Sequence, residues 1–241
     1  MRILCFSDTH VGSLGGILRP HFQADDSAFD SRIGNKIWRF FEKVVSLEKN
    51  KIDAIFFCGD LLHGVPRDMY HSQEVLIPSL DLQRKAAIYT IGNILPDDVP
   101  KFACTGSHYH DAEEIPFEAS VLNEMGFRVV EQFKSVQMGK YFINLAHSKG
   151  TREQLSSYLE KTVRTLRGMG NWFQVILRGH YHRFTAVRFP ECIAVCLPCL
   201  EDSSKRYSLS VSTFPFSADI GMVVIDIDND FALKYYKFEN D

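Results

Sequence analysis

The sequence predicts an α/β layered fold. Three observations carry this: short apolar runs alternate with helix-period stretches, a polar cluster follows each run, and the C-terminal part turns to short strand-like pieces. Ile3 to Phe6 leads through Ser7-Asp8-Thr9-His10 into the loop Gly12-Ser13-Leu14-Gly15-Gly16, as a buried strand and its exit would. Ile52 to Cys58, with Asp53 its one charge, ends in Gly59-Asp60. Phe102 to Thr105 exits into Gly106-Ser107-His108-Tyr109-His110. Tyr141 to Ala146 delivers His147, and Val175 to Leu177 delivers Gly179-His180-Tyr181-His182. Between the runs, Lys36 to Leu47 and Arg152 to Leu166 are helical stretches, the second with Leu155, Tyr158, Leu159, Val163 and Leu166 on one face. From about Phe189 the pattern changes, and Met222 to Ile227 with Phe231 to Phe238 predicts an edge β-hairpin around Asp228-Asn229-Asp230. Ligands of alternating α/β folds bind beyond the carboxyl ends of the strands, where all these polar clusters fall.

Composition sets the frame. At 241 residues, 45% hydrophobic and 24% charged, the chain can bury one full core. Residues 1–241 are therefore expected to form a single domain, with 191–241 as its β-rich C-terminal part. No apolar run approaches the ~20 residues that cross a bilayer, and Asp8 follows the N-terminal apolar residues too soon for a secretory signal. The expectation is a cytoplasmic protein without membrane contact. A formal charge of -3 supplies no global attraction for nucleic acid, so polynucleotide binding would need a local patch or bound metal. Cys5, Cys58 and Cys104 lie in apolar runs as reduced core thiols, and the C-x3-C-x2-C run of Cys192, Cys196 and Cys199 lacks a fourth zinc ligand at finger-like spacing. Asp226, Asp228 and Asp230 imitate a calcium loop, but Phe231 holds the glycine position and Lys237 the glutamate position, which leaves a solvated turn. Trp38 and Trp172 are expected to be packing residues.

The polar clusters suit a metal site. Imidazole and carboxylate bind zinc, manganese or iron(II), and a carboxylate with two oxygens can bridge two cations, for which Asp60 is the candidate. Two cations ~4 Å apart can clamp a phosphoryl group, lower the pKa of a shared water and take up charge on attacking and leaving oxygens. Taken singly, Asp8 could cap a turn, Gly59-Asp60 could be a bend, and a histidine could be a surface residue. Together, D-x-H, G-D, G-x-H, a strand-end His and G-H-x-H follow successive apolar runs in order.

In that order the residues resemble the calcineurin-like metallophosphoesterase family, over roughly residues 2 to 185. The resemblance implies a four-layer αββα sandwich with the C-terminal β-hairpin attached, and two divalent metal ions, Mn2+ foremost, with Zn2+, Fe2+ or Ni2+ as alternatives. One ion would be held by Asp8, His10, Asp60 and His182, the other by Asp60, His147, His180 and Ser107. Ser107 stands where the family usually has a metal-binding asparagine, and a hydroxyl is the shorter, weaker ligand. His108 matches the histidine that assists the leaving group, with His110 the alternative. Ser7 to Gly12 and Gly59 to His63 are similar to nuclease subunits of DNA-break repair complexes. Gly106 to Gly126, Arg178 to Phe184 and Leu197-Pro198 are similar to small phage phosphoesterases, and in that match His110 takes the catalytic place. The implied activity is hydrolysis of a phosphodiester, in a nucleic acid or nucleotide, by attack of a metal-bridging hydroxide. The alternatives are a phosphomonoesterase and a catalytically weakened binding scaffold, the latter motivated by Ser107. Substrate choice would fall to loops at 11–30, 64–72 and 203–216, with Arg67, Lys205 and Arg206 as phosphate contacts. His63 and His71 would lie behind the ligands or in the outer loops.

Overall fold

Side chains alternate across a β-strand, so a strand apolar on both faces must lie between two layers. In the computed structural model, which describes residues 1–65, 74–107, 117–147, 154–202 and 218–240, the first strand does so. In β1 (Arg2–Phe6), Ile3 and Cys5 point into one apolar cluster, Leu4 and Phe6 into another. The strand β4 (Ala54–Cys58) repeats the pattern, with Ala54, Phe56 and Cys58 on the first side and Ile55 and Phe57 on the second.

Ahead of β4 come a small hairpin, β2 (Phe22–Ala24) with β3 (Ser27–Phe29), and the helix α1 (Arg32–Glu48). Parallel to β4 run β5 (Lys101–Cys104) and then β6 (Phe127–Val129). At the other edge, β12 (Gly221–Asp226) pairs antiparallel with β1, and β13 (Ala232–Lys237) with β12, giving the order β13-β12-β1-β4-β5-β6. The expected C-terminal hairpin thus completes the first sheet. The second sheet has β8 (Tyr141–His147), β9 (Val175–Gly179) and β11 (Cys192–Cys196) parallel, with antiparallel β7 (Ser135–Met138) and β10 (Thr185–Phe189) at its edges.

The cluster between the sheets joins Ile3, Phe56 and Val223 of the first to Ile143, Leu145, Val175 and Val195 of the second. On the outer face of the first sheet lie α1, α2 (Leu80–Ala87), which continues into a π-helical turn at Ile88–Gly92, and α3 (Phe117–Glu124). The helix α4 (Leu155–Gly168) covers the second through Leu155, Leu159 and Val163 against Ile176 and Ala194. The layers run α, β, β, α, the sandwich the family resemblance implied.

Helix α1 begins a turn before its predicted start because Ser31 caps it, accepting from the Gly34 N–H at 3.0 Å. Such a cap contributes about 1 kcal/mol. Its buried stripe of Ile37, Phe41, Val44 and Val45 contributes roughly 1.5–3 kcal/mol per large side chain, so burial decides where the helix sits. All six cysteines are buried free thiols. Trp38 is buried, whereas Trp172 packs at the surface, 57% exposed with the Arg167 guanidinium over its ring. The turn at Asp226 to Asp230 is tied down by Arg2, the amino terminus and Arg188, which pair with its three aspartates. Among the described residues no helix is long and apolar enough to cross a membrane.

Candidate metal centre

Parallel strands deliver their carboxyl ends to one pole, and here that pole gathers the polar clusters. Beyond β1, the Asp8 N–H donates to the Gly59 carbonyl, and the Thr9 and His10 N–H groups donate to the Asp60 carbonyl, so the exits of β1 and β4 are laced together. Across the sandwich, His147 at the end of β8 pairs in register with Gly179 at the end of β9. The His180 N–H donates to both oxygens of Asp8, at 3.2 and 3.1 Å, which joins the second sheet to the first.

Glycines make this approach possible. A Cβ on Gly59 would lie 2.7 Å from Gly106 Cα and 2.8 Å from His147 Nδ1, and Gly59 has φ +80°. On Gly106 it would collide with Asp60. The G of each motif is therefore the space that lets its neighbour reach the centre. The polar residues accept strain in return: Asp8, His10, Asp60, His180 and His182 all have left-handed φ, between 42° and 88°. That conformation costs about 1 kcal/mol each, and such clusters of strain mark functional sites.

The side chains converge as two groups. Donor atoms of Asp8, His10 and His182 lie within 4.8 Å of one another, as do those of Asp60, His147 and His180. His182 Nε2 is 3.2 Å from Asp8 Oδ1 and 3.2 Å from His10 Nε2. Asp60 Oδ2 is 3.0 Å from His147 Nε2 and 3.9 Å from His10 Nε2, which puts one carboxylate oxygen between the groups. Donors ~2.1 Å from a cation sit about 3.0–3.4 Å apart in octahedral or tetrahedral arrangement, so the spacing and the nitrogen and oxygen chemistry both fit divalent metal. His147 Nδ1 lies 2.8 Å from the Cys58 carbonyl, which only accepts, so Nδ1 carries the proton and Nε2 aims at the centre.

Charge follows from this crowding. Burial raises the pKa of Asp8, but His182 and His147 outweigh it and hold the carboxyl below the usual range. Burial disfavours imidazolium at His147, yet the adjoining Asp60 lifts its pKa to about 10. His182 rises well above the ordinary value against the cost of burial, through Cys199 and Asp8. His180 is lowered by burial and by the charge of His147. Protons thus supply the countercharge that these buried carboxylates need, and a cation binding here would displace them.

Two of the motif residues behave differently from a plain ligand list. The Ser107 N–H and hydroxyl both donate to Asp60 Oδ1, at 2.7 and 3.2 Å, so Ser107 fixes the orientation of Asp60. Tyr181, the spacer in G-H-x-H, is buried against Tyr158. His108 and His110 lie outside the described residues, as do Arg67, His71, Lys205 and Arg206. His63 is buried, its ring centroid 6.3 Å from that of His10.

Sequence reasoning missed two glutamates. Glu118, near the start of α3, accepts from the Leu61 N–H at 2.7 Å and the Gly106 N–H at 2.6 Å, bracing the loops on either side of Asp60. Burial and the nearby Asp60 carboxylate push its pKa to about 7 against those two hydrogen bonds. Glu201 is buried near His10 and His182. Neither belongs to a strand-end motif, and no local pattern announces them.

The chain is similar to several known proteins. An archaeal phosphodiesterase structure matches over 99% of this chain and 100% of its own, at 12% identity and TM-score 0.54, a likeness of fold. Vps29 of Entamoeba histolytica, in complex with Zn2+, matches over 99% and 98% at 13% identity with TM-score 0.43. A putative 5'-nucleotidase of Staphylococcus aureus matches over 98% of this chain and 53% of its own, at 13% identity and TM-score 0.47. No curated protein matches the sequence. The sequence model of the calcineurin-like phosphoesterases matches residues 1–184, and the chain belongs to that family.

Proposed function

We propose that the chain hydrolyses a phosphodiester, in a nucleic acid or nucleotide, with two divalent cations, manganese foremost. Asp8, His10, Asp60 and His182 would hold one, and Asp60, His147 and His180, with Ser107 beside them, the other. The observation that carries this is the place of Asp60 Oδ2, 3.0 Å from His147 Nε2 and 3.9 Å from His10 Nε2, between the two donor groups. When bound, the cations would lower the pKa of a shared water and take up charge on the phosphoryl oxygens.

The chain's own residues set the geometry. The Cys58 carbonyl holds the His147 ring, the Ser107 N–H and hydroxyl hold Asp60, and Glu118 pins the backbone at Leu61 and Gly106. Asp8 is held by the Ser7 hydroxyl and the His180 N–H. His108 or His110 would protonate the leaving oxygen. The family gives the reaction class, and the name of the archaeal protein of the same fold supports a diester substrate.

Hydrolysis of bis-p-nitrophenyl phosphate, cyclic nucleotides, single-stranded DNA and p-nitrophenyl phosphate, measured with Mn2+, tests this. A diester is expected to react fastest. Faster turnover of the monoester would overturn the diester assignment, and no turnover of any substrate would favour the binding scaffold that the missing asparagine at Ser107 suggests.

A further inference from the structure

Beside the motif residues stands a buried carboxylate that none of the motifs contains. Glu201 Oε2 lies 3.7 Å from His10 Nε2 and 3.8 Å from His182 Nδ1. The first separation is too long for a hydrogen bond and close to the 3.9 Å between His10 Nε2 and Asp60 Oδ2, the two carboxylates flanking one imidazole nitrogen. The second reaches the His182 ring nitrogen opposite the Nε2 that meets Asp8, and sets the Glu201 carboxylate beside that ring. The other oxygen, Oε1, accepts from the Ser13 hydroxyl at 2.7 Å, which fixes the plane of the carboxylate.

The backbone there is built into the centre. The Leu200 N–H donates to the Asp8 carbonyl at 3.0 Å, Glu201 bridges Gly16, and the Asp202 N–H donates to the Gly15 carbonyl at 2.9 Å. The glycine loop that follows β1 therefore closes on Glu201. A Cβ at Gly16 would strike the His10 carbonyl, so the absence of a side chain there permits the contact.

Glu201, His10 and His63 also form a donor group of their own within 4.8 Å. That raises the choice between a separate third cation and one shared with Asp8. His10 Nε2 is the atom that faces His182, Asp60 and Glu201 alike. The nitrogen of His10 that Glu201 Oε2 approaches is this same Nε2, and one lone pair binds one cation, which favours an ion shared with Asp8 over a separate one.

We propose that Glu201 is a ligand of the cation held by Asp8, His10 and His182, which adds a third carboxylate, with Asp8 and Asp60, to that position. A site richer in oxygen favours a hard cation such as Mn2+ over Zn2+. This inference rests on the proposed metal centre, and the experiment separates the two. The whole chain is stripped with chelator and titrated with Mn2+, reading free Mn2+ by electron paramagnetic resonance and the melting temperature with and without metal. Wild type, Glu201→Gln, Glu201→Asp and Asp8→Asn are compared. Wild type is expected to bind two Mn2+. Glu201→Gln should weaken one of them by at least about tenfold and shrink the Mn2+-induced rise in melting temperature. Its metal-free melting temperature should hold or rise, because a buried negative charge has gone; a purely structural role would lower it. Glu201→Asp keeps the charge but withdraws the carboxylate by one methylene, and should weaken the same ion even if the glutamine variant fails to fold. Wild-type Mn2+ binding in both variants would overturn the inference, as would a third Mn2+ in wild type that Glu201→Gln alone removes. Absence of Mn2+ binding in wild type, or no effect of Asp8→Asn, would overturn the metal centre itself.

Discussion

At the amino end of β1, the buried carboxylate of Glu48 is bonded by the Arg2 guanidinium and the Tyr236 hydroxyl; at its carboxyl end, Asp8 and Asp60 are buried among histidines. The first pole supplies its own fixed countercharge, and Asp53, Asp226 and Asp228 there likewise meet the Arg2 N–H, the Arg2 side chain and the terminal ammonium. Among the described residues the second pole surrounds its carboxylates with imidazoles, N–H groups and hydroxyls, in backbone conformations that cost energy. Among the same described residues, the fold meets its buried carboxylates with arginine at one end and with histidines at the other, and the second is the donor set that could hold a divalent cation.

The strongest way to break that comparison is Asp60→Asn. Hydrolysis should fall on the order of 1,000-fold in kcat/KM and the Mn2+-induced rise in melting temperature should vanish, while the metal-free melting temperature falls only modestly, by the loss of the pairing with His147. Equal loss of stability and activity would mean that Asp60 is structural, like Glu48. Next, Gly59→Ala should cost about 3 kcal/mol in denaturant unfolding, since a Cβ at φ +80° meets Gly106 and His147. A wild-type unfolding midpoint would show that the strand ends are not tightly joined.

Glu48→Gln probes the other pole, with an expected cost of about 2 kcal/mol at neutral pH and unchanged hydrolysis. Burial raises the pKa of Glu48, but the Tyr236 hydroxyl and Arg2 outweigh it and hold the folded value below the ordinary 4.5. A lowered folded pKa stabilises above the unfolded value and is lost as pH falls through the folded one. The gap in melting temperature between wild type and Glu48→Gln should therefore be widest near neutrality and close in acid; a gap that widens in acid would refute the pairing. The smallest change is Ser107→Asn, which should raise Mn2+-dependent turnover about fivefold by offering a carboxamide oxygen, as steady-state kinetics would show. An unchanged rate would leave Ser107 its present task of orienting Asp60.

Much of this was legible in the chain because it is local. Strand ends followed by Asp8, Asp60, His147 and His180 are written as consecutive residues, and the two-sided apolar runs of β1 and β4 require a layer on each face. The departures have physical causes. The early start of α1 needed the Ser31 cap to be seen in place, and the surface partner of Trp172, the Arg167 guanidinium, is set by the tertiary structure.

The sequence by itself determined the alternating α/β layers, the aspartates and histidines at the strand ends and the glycines between them, since each depends on neighbours one to four residues away. Tertiary structure alone decided that Asp60 Oδ2 stands between the two donor groups, that Glu118 braces the loops around it, and that Glu201 reaches the same pole from 193 residues beyond Asp8. Such contacts form where chain segments cross, and side-chain periodicity fixes which face a residue takes without fixing what it will meet there.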